Sequence, residues 1–449
     1  MPQQLSVTNK EIWQITYPII FGNLAQTIIV FVNTVFLGHV GKAELGAAMM
    51  AGLYYLIFTT ILQGFSVGVQ IMVARRLGEG NLKQIGSIFE HGFLFNLLLG
   101  IVMLVIIHFC TPTLLGGIIH SPHIHEAALR FINFRQWGIL FVSMNFLFRA
   151  LYVGLSNTTI ITYTTLAMAV VNIFFDYSLI FGHFGMPQMG VAGAGLSSVL
   201  AEATACIFFF LYTFFKLPYK TYGIFSFKSL EWPLLGRVLR ISVPTMFQRL
   251  FSFGTWFLFF ALIEHLGEEP MAISGIVRSV FLLGTLTAFA YGACANTVTS
   301  RLIGAGLQDE VPHTLRRILK LSLLTLLPIL LLLVIFPKQV AALYTEDLAM
   351  AARSVPALYV VYITSILMSV TMVYFEFISG TGKTLIALYL ETGALVFYTI
   401  YIYLATEVFH LAIQWVWTAD WIYTSLMLVG SIIFLKVYPW KTKNDLSGH

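Results

Sequence analysis

Polar positions interrupt this chain at intervals that match the thickness of a bilayer. Apolar runs cover roughly residues 12–38, 46–74, 87–110, 128–153, 159–181, 191–215, 239–264, 271–300, 315–337, 350–378, 385–406 and 418–437. At 1.5 Å rise per helical residue, each can cross a hydrocarbon layer of about 30 Å. Lipid offers the backbone no hydrogen-bond partner, so each run is read as a helix. A membrane barrel would instead alternate over segments of about ten residues. The pattern predicts an all-α integral membrane protein with twelve transmembrane helices.

The pattern also repeats. Shifted by 226 residues, Pro18 falls on Pro244, Phe21 on Phe247, Gly41 on Gly267 and Thr59 on Thr285. Arg75, Gly78 and Gly80 fall on Arg301, Gly304 and Gly306, and Gly154 and Thr158 fall on Gly380 and Thr384. One offset without a gap indicates a duplicated six-helix unit. Six is even, so the two repeats run parallel, with a central cavity expected between them. The expected division is an N-terminal lobe over 1–215, a basic, proline-containing linker over 216–240 and a C-terminal lobe over 241–449.

Composition agrees: 58% of residues are hydrophobic and 10% charged, against about 45–50% and 25% in soluble domains. That excludes a nucleic-acid-binding domain, a disordered chain and a secreted disulfide scaffold. The opening MPQQLSVTNKE lacks the basic region of a secretory signal. Cys110, Cys206 and Cys294 lie in apolar runs and suggest neither disulfide nor metal. The net charge of +5 reports orientation more than partner. One set of loops carries eighteen Lys and Arg and the other five, which predicts that both termini are cytoplasmic.

Ionisable groups inside spans are costly and mark candidate sites. Asp176 follows Asn172 by four residues, which stacks carboxylate and amide on one helical face. They offer oxygens for Na⁺, or a desolvated carboxylate able to carry a proton. Gln26 and Asn33, seven residues apart on the first span, are expected on that same pocket. Gln248, Arg278, Glu376, Glu391 and Glu202 are candidates for a substrate cavity, with Arg249 and Arg278 as possible ion-pair partners of Glu376 or Glu391. Pro18 and Pro244 interrupt helices at matching depths and are candidate hinges. His120, His123 and His125 form a loop cluster read as solvated rather than metal-binding. Ser379-Gly-Thr-Gly-Lys-Thr384 resembles the end of a phosphate loop, but Phe377 stands where its first glycine belongs, so it is read as a turn and no nucleotide is expected.

Three stretches together resemble the multidrug and toxic compound extrusion (MATE) transporters: Asn33-Thr-Val-Phe-Leu-Gly-His-Val-Gly41; Gly64-Phe-Ser-Val-Gly68 running into Ala74-Arg75-Arg76-Leu-Gly78; and Asn172-x3-Asp176 followed by Gly185-Met-Pro187 and Gly190-Val-Ala-Gly193. The resemblance spans nearly the whole chain. It implies two six-helix lobes in a V around a central cavity. It also implies antiport of organic cations, drugs or other amphipaths against Na⁺ or H⁺, in a bacterial inner membrane. Carried over by motif, Asn172 and Asp176 match the family's N-lobe cation site, Ser198 falls where a hydroxyl joins it, and Pro18 matches a bending proline. Two departures stand out: Asn33 replaces a common aspartate, and Ser252 replaces a common glutamate of the seventh helix.

The expectation is therefore a monomeric cation-coupled exporter, not an enzyme, that uses no cofactor and meets a small-molecule substrate and the lipid bilayer. A flippase for lipid-linked precursors is the alternative; twelve helices and few buried cations weigh against it. A membrane-embedded enzyme is further off, for lack of clustered metal ligands or a nucleophile motif.

Overall fold

A computed structural model describes residues 7–119, 121–226, 231–345 and 347–441, and among these it is helical throughout, without strands. In order the helices are α1 (Asn9–Val40), α2 (Lys42–Gly78), α3 (Leu82–Ile118), α4 (Pro122–Arg135), α5 (Gly138–Gly154), α6 (Thr159–Phe181), α7 (Val191–Phe215) and the short α8 (Tyr219–Tyr222). Then come α9 (Trp232–Glu264), α10 (Glu268–Gly304), α11 (Val311–Ile335), the short α12 (Pro337–Ala342), α13 (Leu348–Gly380), α14 (Thr384–Tyr403), the short α15 (Ile413–Val416) and α16 (Ala419–Val437). Among the described residues, eleven helical segments are long and apolar enough to cross a bilayer. The twelfth crossing is broken: α4 and α5 meet at a bend of 53°.

The repeat extends further than the sequence matches indicate. Both ends of α10 lie 226 residues after those of α2, and α13 starts and ends 226 residues after the start of α4 and the end of α5. Gly80 and Gly306 both adopt left-handed backbone, with φ 70° and 75°. So do the repeat mates Ser156 and Gly382, with φ 59° and 89°. The turn after the fourth span thus keeps its shape where serine replaces the glycine that suits it better.

One compact unit holds Tyr17–Met246; the other holds Phe247 onward together with the residues up to Thr16. We call them the N unit and the C unit. Their limits differ from the expected 1–215 and 241–449 because α1 and α9 each contribute to both units. The change falls two residues before Pro18 and just after Met246, two residues beyond Pro244. Part of the expected linker is helix, since α9 begins at Trp232; residues 227–230 lie outside the described residues.

In the N unit, α6 lies along α7, and α2 packs on α3, α4 and α5. Its apolar core joins Tyr54, Phe58 and Leu62 of α2 to Phe131, Ile139 and Ile180. The first turns of α9 belong to this unit and lie close to α2. Ser242 Oγ donates to the Phe65 carbonyl at 3.0 Å and Thr245 Oγ1 to that of Gly64 at 2.7 Å. A Cβ at Gly68 would sit 2.0 Å from Ser242 Oγ, so only glycine permits this approach. In lipid, such packing and hydrogen bonding hold helices together, because burial from water does not. In the C unit, α10 lies along α13, and Trp417 anchors the core. Its ring meets Phe259 edge-on at 4.9 Å and its Nε1 donates to Ser274 Oγ at 3.2 Å.

Candidate functional site

The N unit holds a buried polar cluster built from three helices. Asn172 and Asp176 share one face of α6 and are 1% and 0% exposed. Gly193 on α7 faces Leu179, where a Cβ would stand 2.7 Å from the backbone carbonyl. One turn further along, the close approach brings fully buried Ser197 to Asp176, and its hydroxyl donates to Oδ1. From α1, Asn33 turns its amide nitrogen inward, the orientation that satisfies both ends of the amide. It then donates to the Ile29 carbonyl (3.1 Å), to Asn172 Oδ1 (2.9 Å) and to Asp176 Oδ2. The Asn172 amide nitrogen has no hydrogen-bond partner among the described residues. Among the described residues the hydrogen-bond partners of the Asp176 carboxylate, Asn33 and Ser197, are neutral, so its charge must be met by a proton or a small cation.

Two expectations for this cluster need correction. Ser198 donates back to the Ala194 carbonyl at 3.0 Å within α7, and its neighbour Ser197 faces Asp176; one residue along a helix is a rotation of about 100°. Gln26 is exposed on α1 and makes no bond to the cluster, although it shares Asn33's face by spacing.

The C unit has no copy of this cluster. At the repeat-related positions of Asn33, Asn172, Asp176 and Ser197 stand Phe259, Tyr398, Ile402 and Tyr423. Its own buried acid is Glu391 on α14, 5% exposed. Glu391 Oε1 accepts from Ser252 and from Tyr423 Oη (2.9 Å), while Oε2 has no hydrogen-bond partner among the described residues. Ser252 is thus not a gap in the site: it holds a carboxylate delivered from another helix. Glu376 pairs with Arg249 at 3.4 Å and accepts from Asn296 at 3.0 Å. Arg278 pairs with neither acid; it stacks on Trp256 and Phe260.

Glu202 in the N unit is held in a bidentate pair with Arg135, at 2.6 and 2.7 Å, while Arg135 also donates to Tyr55 Oη at 3.2 Å. This pair sits at the α4–α5 bend. A Cβ at Gly138, the first residue after the bend, would lie 2.3 Å from both Arg135 Nη1 and Glu202 Oε2. In the unbroken α13 and its neighbours, the mates of Tyr55, Arg135, Gly138 and Glu202 are Phe281, Val361, Thr364 and Leu428.

Several residues here escaped sequence reading: Ser197, Asn296, Tyr423 and the helical Arg135. Asp420, which interacts with Tyr398, was missed as well. The serine, the amide and the tyrosine carry no charge to flag them, and Arg135 and Asp420 lie near the expected ends of spans. His120 lies outside the described residues; among these, no three His, Cys, Asp or Glu side chains gather to hold a metal. Residues 381–383 form the turn between α13 and α14.

A family model described as MatE matches residues 18–178 and again 244–421. The chain belongs to the MatE family. The two MatE matches begin on Pro18 and Pro244, at the same 226-residue offset that relates the helices. As a MatE protein it is a multi-pass membrane transporter and not an enzyme. Similar MatE relatives include the "Probable multidrug resistance protein NorM" of Bacillus subtilis, 28% identical over 75% of each chain. That of Thermotoga maritima is 24% identical over 85% of this chain and 82% of its own. Among solved structures, an outward-facing multidrug resistance MATE family transporter matches with a TM-score of 0.88 at 18% identity, over 97% of both chains. A MOP superfamily transporter from Pyrococcus furiosus gives 0.85 at 19%, over 95% of this chain and 94% of its own. These two structures share the fold.

Proposed function

We propose that this MatE protein is a cation-coupled exporter of organic cations, drugs or related amphipathic compounds, working by alternating access. The observation that carries the coupling is Asp176: a fully buried carboxylate whose hydrogen-bond partners among the described residues are the neutral Asn33, with Asn172 beside it, and Ser197. Such a group must release or take up a positive charge whenever its surroundings change, which makes it a means of coupling. Oxygens of Asp176, Asn172 and Ser197 suit Na⁺, and the carboxylate alone suits H⁺. Export of drugs is supported by the names of the NorM relatives. Pro18 and Pro244, near where α1 and α9 change units, are the proposed hinges. Gln248, Glu376 and Glu391 are proposed to contact substrate. We further place the protein in a bacterial inner membrane as a monomer with cytoplasmic termini, on the Lys and Arg asymmetry of its loops.

The test is efflux of ethidium from vesicles carrying wild type or Asp176→Asn under an imposed Na⁺ or H⁺ gradient. Efflux driven by one gradient and lost in the variant supports the reading and names the ion. Wild-type efflux by Asp176→Asn would sink the coupling role.

A further inference from the structure

We propose that Arg278 is a recognition point for a carboxylate, or another anionic oxygen group, carried on a flat apolar body. It rests on the transporter reading and extends it, because it gives amphipathic zwitterions a contact that simple cations do not use.

Arg278 lies in the third turn of α10, and its guanidinium carbon is 4.7 Å from the Trp256 ring centre and 5.4 Å from that of Phe260. The two rings hold the guanidinium by attraction to their faces. No carboxylate or carbonyl among the described residues accepts its N–H groups. Other arginines of the C unit differ: Arg249 pairs with Glu376, Arg301 with Glu11 at 2.6 Å, and Arg317 donates to the Val7 carbonyl at 3.0 Å. An arginine within a span without a counter-charge is costly, and such residues mark substrate or ion pathways. The fold itself does not require it, since the repeat mates of Arg278, Trp256 and Phe260 are Gly52, Val30 and Thr34. A guanidinium fork matches a carboxylate through two parallel hydrogen bonds, and the indole and phenyl rings beside it offer apolar surface to the rest of the molecule. A phospholipid phosphate shares that anionic chemistry and is the other source of such a group.

The experiment reconstitutes the full chain and compares two rhodamine dyes of identical ring system, one with a free benzoate and one with its methyl ester. KM and kcat are measured for wild type, Arg278→Gln and Arg278→Lys. Loss of a charge-assisted pair is expected to raise KM for the benzoate dye about tenfold or more in Arg278→Gln, and less in Arg278→Lys, while the ester changes by no more than about threefold. Equal losses for both dyes, or none, overturn the inference. A second arm adds phosphatidylglycerol to phosphatidylcholine vesicles. If wild type shows no benzoate preference and only its response to phosphatidylglycerol disappears in Arg278→Gln, the clamp holds a lipid phosphate and substrate recognition is overturned. Should wild type transport neither dye, the transporter reading is what fails; equilibrium dialysis of both dyes on purified protein then still decides whether Arg278 confers the benzoate preference.

Discussion

Ser197 on α7 donates its hydroxyl to Asp176 Oδ1 on α6, and Ser198, the next residue, donates only to its own helix. The pair gives a built-in control. Ser197→Ala is expected to weaken apparent affinity for the coupling ion about tenfold, as loss of a hydrogen bond to a charged group does. Ser198→Ala is expected to leave it unchanged. Ion-concentration dependence of ethidium efflux measures both, and equal effects would show that the hydroxyl at Asp176 is not specific.

Glu391 separates charge from hydrogen bonding. Glu391→Gln can still accept from Ser252 and Tyr423 and is expected to keep thermal stability while transport falls. Glu391→Leu strands those hydroxyls and is expected to lose about 1–3 kcal/mol in addition. Thermal unfolding in detergent, run beside vesicle efflux, checks both. Full transport by Glu391→Gln would leave this acid a purely structural acceptor.

The Arg135–Glu202 pair has a natural replacement within the same chain. Removing one partner, as in Glu202→Leu, is expected to cost about 3–5 kcal/mol, since an uncompensated charge is left buried. The double change Arg135→Val with Glu202→Leu copies Val361 and Leu428 and is expected to recover most of that loss. A melting-temperature series over the four combinations reads the coupling directly. Additive losses would mean that the two side chains do not act as a pair.

Two helical glycines of α2 should respond oppositely to alanine. At Gly68 the new methyl would collide with Ser242, so Gly68→Ala is expected to destabilise by about 1–3 kcal/mol. At Gly52 a Cβ meets nothing within 4 Å, and Gly52→Ala is expected to be neutral or to gain up to about 1 kcal/mol from helix propensity. Similar melting points for both would contradict the close approach of α2 to Ser242.

Helical membrane architecture was legible because lipid leaves one solution for long apolar runs, and the 226-residue offset because Pro18, Gly80 and Gly154 recur as backbone requirements. Asn172 and Asp176 were legible because four residues close one helical turn. Harder to read was what depends on neighbouring helices. Whether Ser197 or Ser198 faces Asp176 is set by the rotation of α7 against α6, which Gly193 fixes by contact. That Ser252 and Tyr423 converge on Glu391 requires α9 and α16 beside α14, and no local spacing encodes that. The ion pair packed against the bend at Gly138 was hidden because Glu202 lies sixty-four positions further along the chain.

The exchange of helix starts has a bearing on how such a chain arose. Neither half is self-sufficient: the groove beside Gly64 and Gly68 is filled by Ser242 and Thr245 from the second repeat, while Glu11 and its neighbours belong with Arg301. A lone six-helix ancestor would have had to lend its first turns to a second copy and borrow them in return, a domain-swapped dimer. Held in one polypeptide, the exchange no longer needs a second copy, and the two repeats carry different charges at matching positions: Asp176 against Ile402, and Gly52 against Arg278.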